Sequence, residues 1–85
     1  MIWPRDRLTR FEVARLLGAR ALQVSLGAPI LVKTNETESS KIARQEFKEN
    51  LIPMTIKRKL PSGEHEIVEI KKAIETWVKE HPGEF

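Results

Sequence analysis

Cysteine is absent from the 85 residues, which excludes a disulfide framework and any thiolate-bound metal. Aspartate occurs once, as Asp6, and histidine twice, as His65 and His81. Neither histidine has a second ligand at metal-binding spacing, and both read as solvated side chains. Aromatic residues are few and dispersed (Trp3, Phe11, Phe47, Trp77, Phe85), so no platform for stacking bases is in sight. Trp3 reads either as a local packing residue or as an anchor on a partner. No apolar run approaches the ~20 residues of a membrane span. The opening "MIWPRDR" lacks the apolar segment of a signal peptide, so a soluble, unprocessed, cytoplasmic protein is expected. Phosphate-binding glycine loops and the H-E-x-x-H pattern are missing too. Glu36 with Glu38, and Glu64 with Glu66, belong to a capping loop and a hairpin edge and are expected there on structural grounds. The chain is therefore expected to have no catalytic residues of its own, no metal, no cofactor and no small-molecule substrate.

What is present is small and mildly basic. A chain of this length is one domain, and it buries only about 60–65% of its unfolded surface on folding. Such thin cores are usually reinforced by disulfides, metals or partners, and here a partner is what remains. The formal charge is +3, with its excess near the start. Residues 1–33 hold Arg5, Arg7, Arg10, Arg15, Arg20 and Lys33 against Asp6 and Glu12. That end suits nucleic acid or an acidic protein surface. Protein is favoured, because Arg10, Arg15 and Arg20 are interleaved with apolar helix residues.

Element boundaries follow from local chemistry. Thr9 and Glu12 form a T-x-x-E capping box, flanked by Leu8 and Val13 at the hydrophobic-staple positions. Gly27 and Pro29 stop the helix, which spans Arg10 to about Leu26. Ile30–Lys33 is a short apolar run, extended or a packed loop. Thr34–Ser40 is a polar loop ending in an N-cap between Thr37 and Ser39. A second helix runs to about Glu49 with Ile42, Ala43, Glu46 and Phe47 as its stripe, and Asn50 closes it in the left-handed conformation. A hairpin follows with a three-residue loop, Pro61-Ser62-Gly63. That loop sets Leu60 opposite Glu64, Arg58 opposite Glu66, Ile56 opposite Val68 and Met54 opposite Ile70, with apolar pairs sharing one face and an ion pair at its rim. A tail helix carries Ala73, Ile74, Trp77 and Val78 and stops at His81-Pro82-Gly83. The expected fold is α+β: a small single domain with a long first helix, a second helix, a β-hairpin and a short C-terminal helix, preceded by a flexible leader at 1–7.

The first helix is apolar on two sides. At about 100° per residue, Val13, Leu17 and Val24 form a stripe widened by Ala14, Leu16 and Ala21. Phe11, Gly18, Leu22 and Leu26 lie nearly opposite, and Glu12, Arg15, Ala19 and Gln23 form the wetter strip between. Two short helices and a hairpin scarcely enclose such a helix, so the second stripe is expected to face another chain. Arg20 falls within the first stripe, where it either pairs or snorkels. Glu46 is its in-chain candidate partner, and a carboxylate of a bound protein is the alternative. Lys57-Arg58-Lys59 is the candidate nucleic-acid contact, with Glu64, Glu66 and Glu69 returning alongside to offset it.

The string "LTRFEVARLLGARALQVSLGAP", followed after a polar gap by "IARQEFKENLIPMTIKRKLPSGE", resembles the subunit K family of archaeal DNA-directed RNA polymerases. Bacterial omega and the sixth common subunit of eukaryotic polymerases belong to the same family. The likeness covers about Leu8 to Ile70, leaving residues 71–85 as a tail outside it. The long acidic leader of eukaryotic members is missing, which points to an archaeal protein, and Asn50 stands where glycine is expected in relatives. The resemblance implies a non-catalytic subunit of a nucleotidyltransferase complex. Its partner is the largest subunit, which it clasps to aid folding and assembly, and it meets DNA only indirectly. Together with the helix angles it places the contact surface on Arg10, Phe11, Arg20, Leu22, Gln23, Leu26, Ala28 and Pro29. The alternatives are a small basic nucleic-acid-binding module and a protein that pairs with itself through Phe11, Leu22 and Leu26.

Overall fold

The computed structural model describes residues 4–84. The expectations for Trp3 and Phe85 lie outside the described residues. In chain order come α1 (Arg10–Ser25), α2 (Ser39–Lys48), β1 (Lys57–Lys59), β2 (His65–Ile67) and α3 (Ile70–Glu80), an α+β set.

Both long-helix boundaries rest on the expected chemistry. The Thr9 hydroxyl accepts from the Glu12 amide at 3.1 Å, and the Glu12 carboxylate accepts from the Thr9 amide at 2.9 Å. Leu8 and Val13 are both buried in the core. At the other end Gly27 takes a φ of 99°. There the Gly27 and Ala28 amides donate to the Val24 and Gln23 carbonyls, a Schellman closure that uses up carbonyls the helix cannot satisfy itself. Helix α2 closes in the same way: Asn50 sits at φ 60°, and the Asn50 and Leu51 amides donate to the Phe47 and Glu46 carbonyls. Asparagine tolerates this left-handed geometry better than most side chains. It also ties α2 to α3, since its Nδ2 donates to the Lys71 carbonyl at 2.8 Å while Lys71 Nζ donates to the Asn50 carbonyl at 2.5 Å.

The core gathers Leu8, Val13, Leu16, Phe47, Ile52, Val68, Ile70, Ala73, Ile74 and Trp77, with Leu17, Met54, Ile56 and Val78 packed against it. The buried face of α1 is rotated from the expected one. Val13, Leu16 and Arg20 are its buried residues, Leu17 and Val24 are only half-buried, and Ala14 is exposed. That face packs on α2, where Arg20 meets Glu46; a further contact is absent from the helical pattern. Arg58 Nε and Nη2 donate to Glu12 Oε2 and Oε1, both at 2.7 Å, and this draws the hairpin to the Glu12–Leu16 side of the helix.

The hairpin has the expected register, with Lys57 opposite Ile67, Arg58 opposite Glu66 and Lys59 opposite His65. Gly63 turns at φ 91°. Its strands are shorter than the apolar pattern implied. Ile56 and Val68 still share a hydrogen bond of 2.9 Å, but Met54 does not pair with Ile70, because Ile70 already opens α3. From Pro4 the leader is held by several contacts. The Glu69 amide donates to the Arg5 carbonyl at 2.8 Å, Arg58 donates to the Pro4 and Arg7 carbonyls, and Arg7 pairs with Glu80 at 2.8 Å.

The whole measures 44 × 28 × 16 Å. In so thin a molecule a long helix finds little chain to cover it on both sides.

Candidate functional site

That thinness leaves one side of α1 bare. Phe11 is 80% exposed, Leu22 60% and Leu26 78%, and Ile30 and Leu31 just beyond the helix are also exposed. Gly18, on the same side, is exposed too. Large apolar side chains exposed together on one side of a helix mark an interaction site more often than apolar residues scattered singly do. At the start of α1 the bare face runs into a hollow of about 430 Å³, where Phe11 and Leu8 meet Trp77 and His81 of the α3 end. The His81 ring stacks on Trp77 with centroids 3.8 Å apart, and His81 Nδ1 lies 2.9 Å from the Trp77 carbonyl. His81 is therefore a half-buried packing residue rather than a solvated one. Trp77 Nε1 is buried with no hydrogen-bond partner among the described residues.

A buried ion pair shapes the other end of the face. Arg20 is 3% exposed and Glu46 0%. Arg20 Nε donates to Glu46 Oε1 at 2.5 Å, Nη2 to Glu46 Oε2 at 3.1 Å and to the Pro29 carbonyl at 2.7 Å, and Nη1 to Gln23 Oε1 at 3.0 Å. Glu46 Oε2 also accepts from the Leu31 amide at 2.9 Å. Burial pushes the Glu46 carboxyl up. The hydrogen bonds from Arg20 and the Leu31 amide, with the Arg20 charge, outweigh it and hold the group below the ordinary carboxylate range. This cluster ties the segment after α1 at Pro29 and at Leu31, and so fixes how Ile30 and Leu31 continue the bare face.

Most positions expected on a contact surface are accessible. Arg10, Phe11, Leu22, Gln23, Leu26 and Pro29 are exposed and Ala28 is half-buried. Arg20 is the correction. Its donors are taken up inside the chain, so it braces the surface from beneath and does not snorkel. Helix angles alone could not separate these roles, because the deciding partner comes from α2.

The basic run of the hairpin also divides. Arg58 is held by Glu12, and its guanidinium charge is further supported by Glu66 opposite. Lys57 and Lys59 are exposed and make no ion pair among the described residues. The offset along β2 therefore reaches Arg58 but not the two lysines: Glu66 also lies 3.4 Å from Arg5, and Glu69 lies 3.9 Å from Lys72. No group of acidic, histidine or cysteine side chains fit to hold a metal occurs among the described residues. No described helix is long and apolar enough to cross a membrane.

The comparisons with known proteins fit this geometry. A family model described as RNA polymerase Rpb6 matches residues 6–54, which takes in α1, the braced segment and α2 but stops short of the hairpin and α3. The subunit Rpo6 of DNA-directed RNA polymerase from Saccharolobus solfataricus is 41% identical over 75 residues, covering 85% of this chain and 78% of that protein. Rpo6 of Archaeoglobus fulgidus is 53% identical over 51 residues, 60% of this chain and 68% of that protein. A probable subunit RPABC2 of RNA polymerases I, II and III from Caenorhabditis elegans is 47% identical over 60 residues, 69% of this chain and 44% of that protein. On these matches the chain belongs to the RNA polymerase Rpb6 family, as an archaeal-type subunit of DNA-directed RNA polymerase.

Proposed function

We propose that the chain is a non-catalytic assembly subunit that docks the bare face of α1, with the segment after it, on the largest subunit of the polymerase in the cytoplasm. The observation that carries this reading is the exposure of Phe11, Leu22 and Leu26 on a helix that buries Val13, Leu16 and Arg20 on its other side. An interface of ordinary size buries about 800 Å² per partner, within reach of a helix of this length with its flanking loop. The Arg20–Glu46 pair supports the role by holding the loop in one conformation before the partner arrives, which lowers the ordering cost of binding.

The test is Leu22→Asp. With its side chain largely in solvent, the substitution is expected to change stability by no more than about 0.5 kcal/mol. Placing a carboxylate in an apolar contact should abolish incorporation. Circular dichroism reports the first and co-purification with the polymerase the second. Normal incorporation of a folded Leu22→Asp chain would defeat the reading. The alternative of a free nucleic-acid module is weakened by Arg58, the central cation of its candidate contact, being engaged with Glu12. A steep loss of duplex DNA affinity with salt, from strong binding by the isolated chain, would revive it.

A further inference from the structure

We infer that the free edge of β1, with the cleft it shares with α1, accepts an extended acidic segment of a partner polypeptide as an added strand. This surface uses none of Phe11, Leu22 or Leu26 and stands or falls apart from the docking of α1.

The pairing of the hairpin dictates which edge groups are open. The Leu60 amide donates to the Glu64 carbonyl at 2.7 Å and the Val68 amide to the Ile56 carbonyl at 2.9 Å. In an antiparallel ladder alternate residues face the partner strand, so positions 56, 58 and 60 point their backbone groups at β2. The amides and carbonyls of Lys57 and Lys59, at the alternate positions, point away from it. The opposite edge is treated differently. Beside β2, Arg5 donates through Nε to the Ile67 carbonyl at 3.4 Å and accepts from the Glu69 amide at 2.8 Å. One edge is thus covered by the chain's own leader while the other is left as a pairing template.

Between β1 and Glu12, Leu16 and Ala19 of α1 lies a cleft of about 590 Å³. Glu12 and Arg58 satisfy each other within it, at 2.7 Å, and the other carboxylate of its lining, Glu66, pairs with Arg5 at 3.4 Å. The cations that remain, Arg15, Lys57 and Lys59, are exposed and make no ion pair among the described residues. Met54 and Leu16 add apolar surface to the same walls. A strand alternates its side chains between two directions, so the matching segment alternates acidic and apolar residues. The open stretch from Thr55 to Lys59 is about 13–17 Å at strand spacing, enough for about five residues. Main-chain donors and acceptors at that spacing match a peptide backbone and have no counterpart along a phosphate chain.

The test uses the full-length chain and the probe acetyl-Glu-Val-Glu-Val-Glu-Val-Glu-amide. Its comparators are the same peptide with lysine for glutamate, the acidic peptide N-methylated at alternate residues, and duplex DNA. Saturable binding of the acidic peptide is expected, with exchange of the Lys57 and Lys59 amides slowed about tenfold or more. Methylation on the pairing edge should weaken binding about tenfold, and the lysine peptide should bind more weakly still. Lys57→Pro and Lys57→Gln remove the same charge, but only proline removes the outward amide. The proline variant should bind about fivefold more weakly than the glutamine variant. The inference is overturned by equal binding of methylated and parent peptides, by equal affinities of the two Lys57 variants, by no saturable binding at millimolar peptide, or by DNA displacing the peptide with a steep salt dependence.

Discussion

Replacing Glu46 by alanine strands a guanidinium. Arg20 would lose the contacts at 2.5 and 3.1 Å and the Leu31 amide its acceptor at 2.9 Å, while Gln23 and Pro29 supply only neutral oxygens in return. Breaking a buried pair from one side costs about 3–5 kcal/mol, because the surviving charge is left uncompensated. A domain of this length has a total stability of about 4–13 kcal/mol, so Glu46→Ala should forfeit about a quarter of it or more. The double variant Arg20→Met, Glu46→Leu removes both charges and fills similar volume, and should return to within about 2 kcal/mol of the parent. Urea melts followed by circular dichroism give both numbers, provided the slopes agree. The double variant should nonetheless exchange its Leu31 amide faster than the parent, since recovered stability does not restore the tether. A loss below about 1 kcal/mol in Glu46→Ala would refute the reasoning, for it would mean that Arg20 reaches water.

Acid should unfold the protein through Glu46 and Glu12. Both carboxyls are held low when folded: for Glu12 burial pushes upward, but Arg58 and Thr9 outweigh it. The unfolded chain therefore takes up protons first. Stability is full above the ordinary carboxylate value of about 4.3 and falls as pH drops through the folded values. Melting temperatures from about pH 6 to about pH 2.5 should show this limb, and a Glu46→Gln protein as acid-sensitive as the parent would contradict it. Arg58→Ala should cost about 2 kcal/mol, and Arg58→Lys should recover less than half, because an ammonium cannot bridge both Glu12 oxygens; full recovery in urea melts would argue against the bidentate contact. Asn50→Ala should cost about 1–2 kcal/mol from its left-handed backbone and the lost bond to Lys71, whereas Asn50→Gly, which loses the same bond but suits the left-handed backbone, should be about 1 kcal/mol more stable than Asn50→Ala. Equal melts for the two Asn50 variants would remove the conformational argument.

Features decided within a few residues were legible in the sequence. The capping box at Thr9 and Glu12, the turn at Gly27, the left-handed Asn50 and the three-residue hairpin loop each follow from neighbours a few positions away. Features decided by a distant partner were not. The tie between α1 and the hairpin depends on Arg58, 46 positions from Glu12 in sequence. The inward path of Arg20 depends on a carboxylate of α2, a partner that helix angles alone cannot prefer over solvent. The strands were overestimated because apolar alternation continues through Met54 and Ile70, where packing on the helices has already replaced the ladder. The hollow against Trp77 and His81 joins the two ends of the chain, and no short-range pattern announces it.

Glu12 serves two masters: the first turn of α1 and, through Arg58, the hairpin. A carboxylate shared in this way makes helix initiation and hairpin docking a single cooperative step, since neither contact reaches full strength until the other has placed the side chain. Fraying at the hairpin should therefore be felt one turn away at Phe11, and any ligand that stills the hairpin should stiffen the start of the helix by the same free energy with which a stiffened helix favours that ligand.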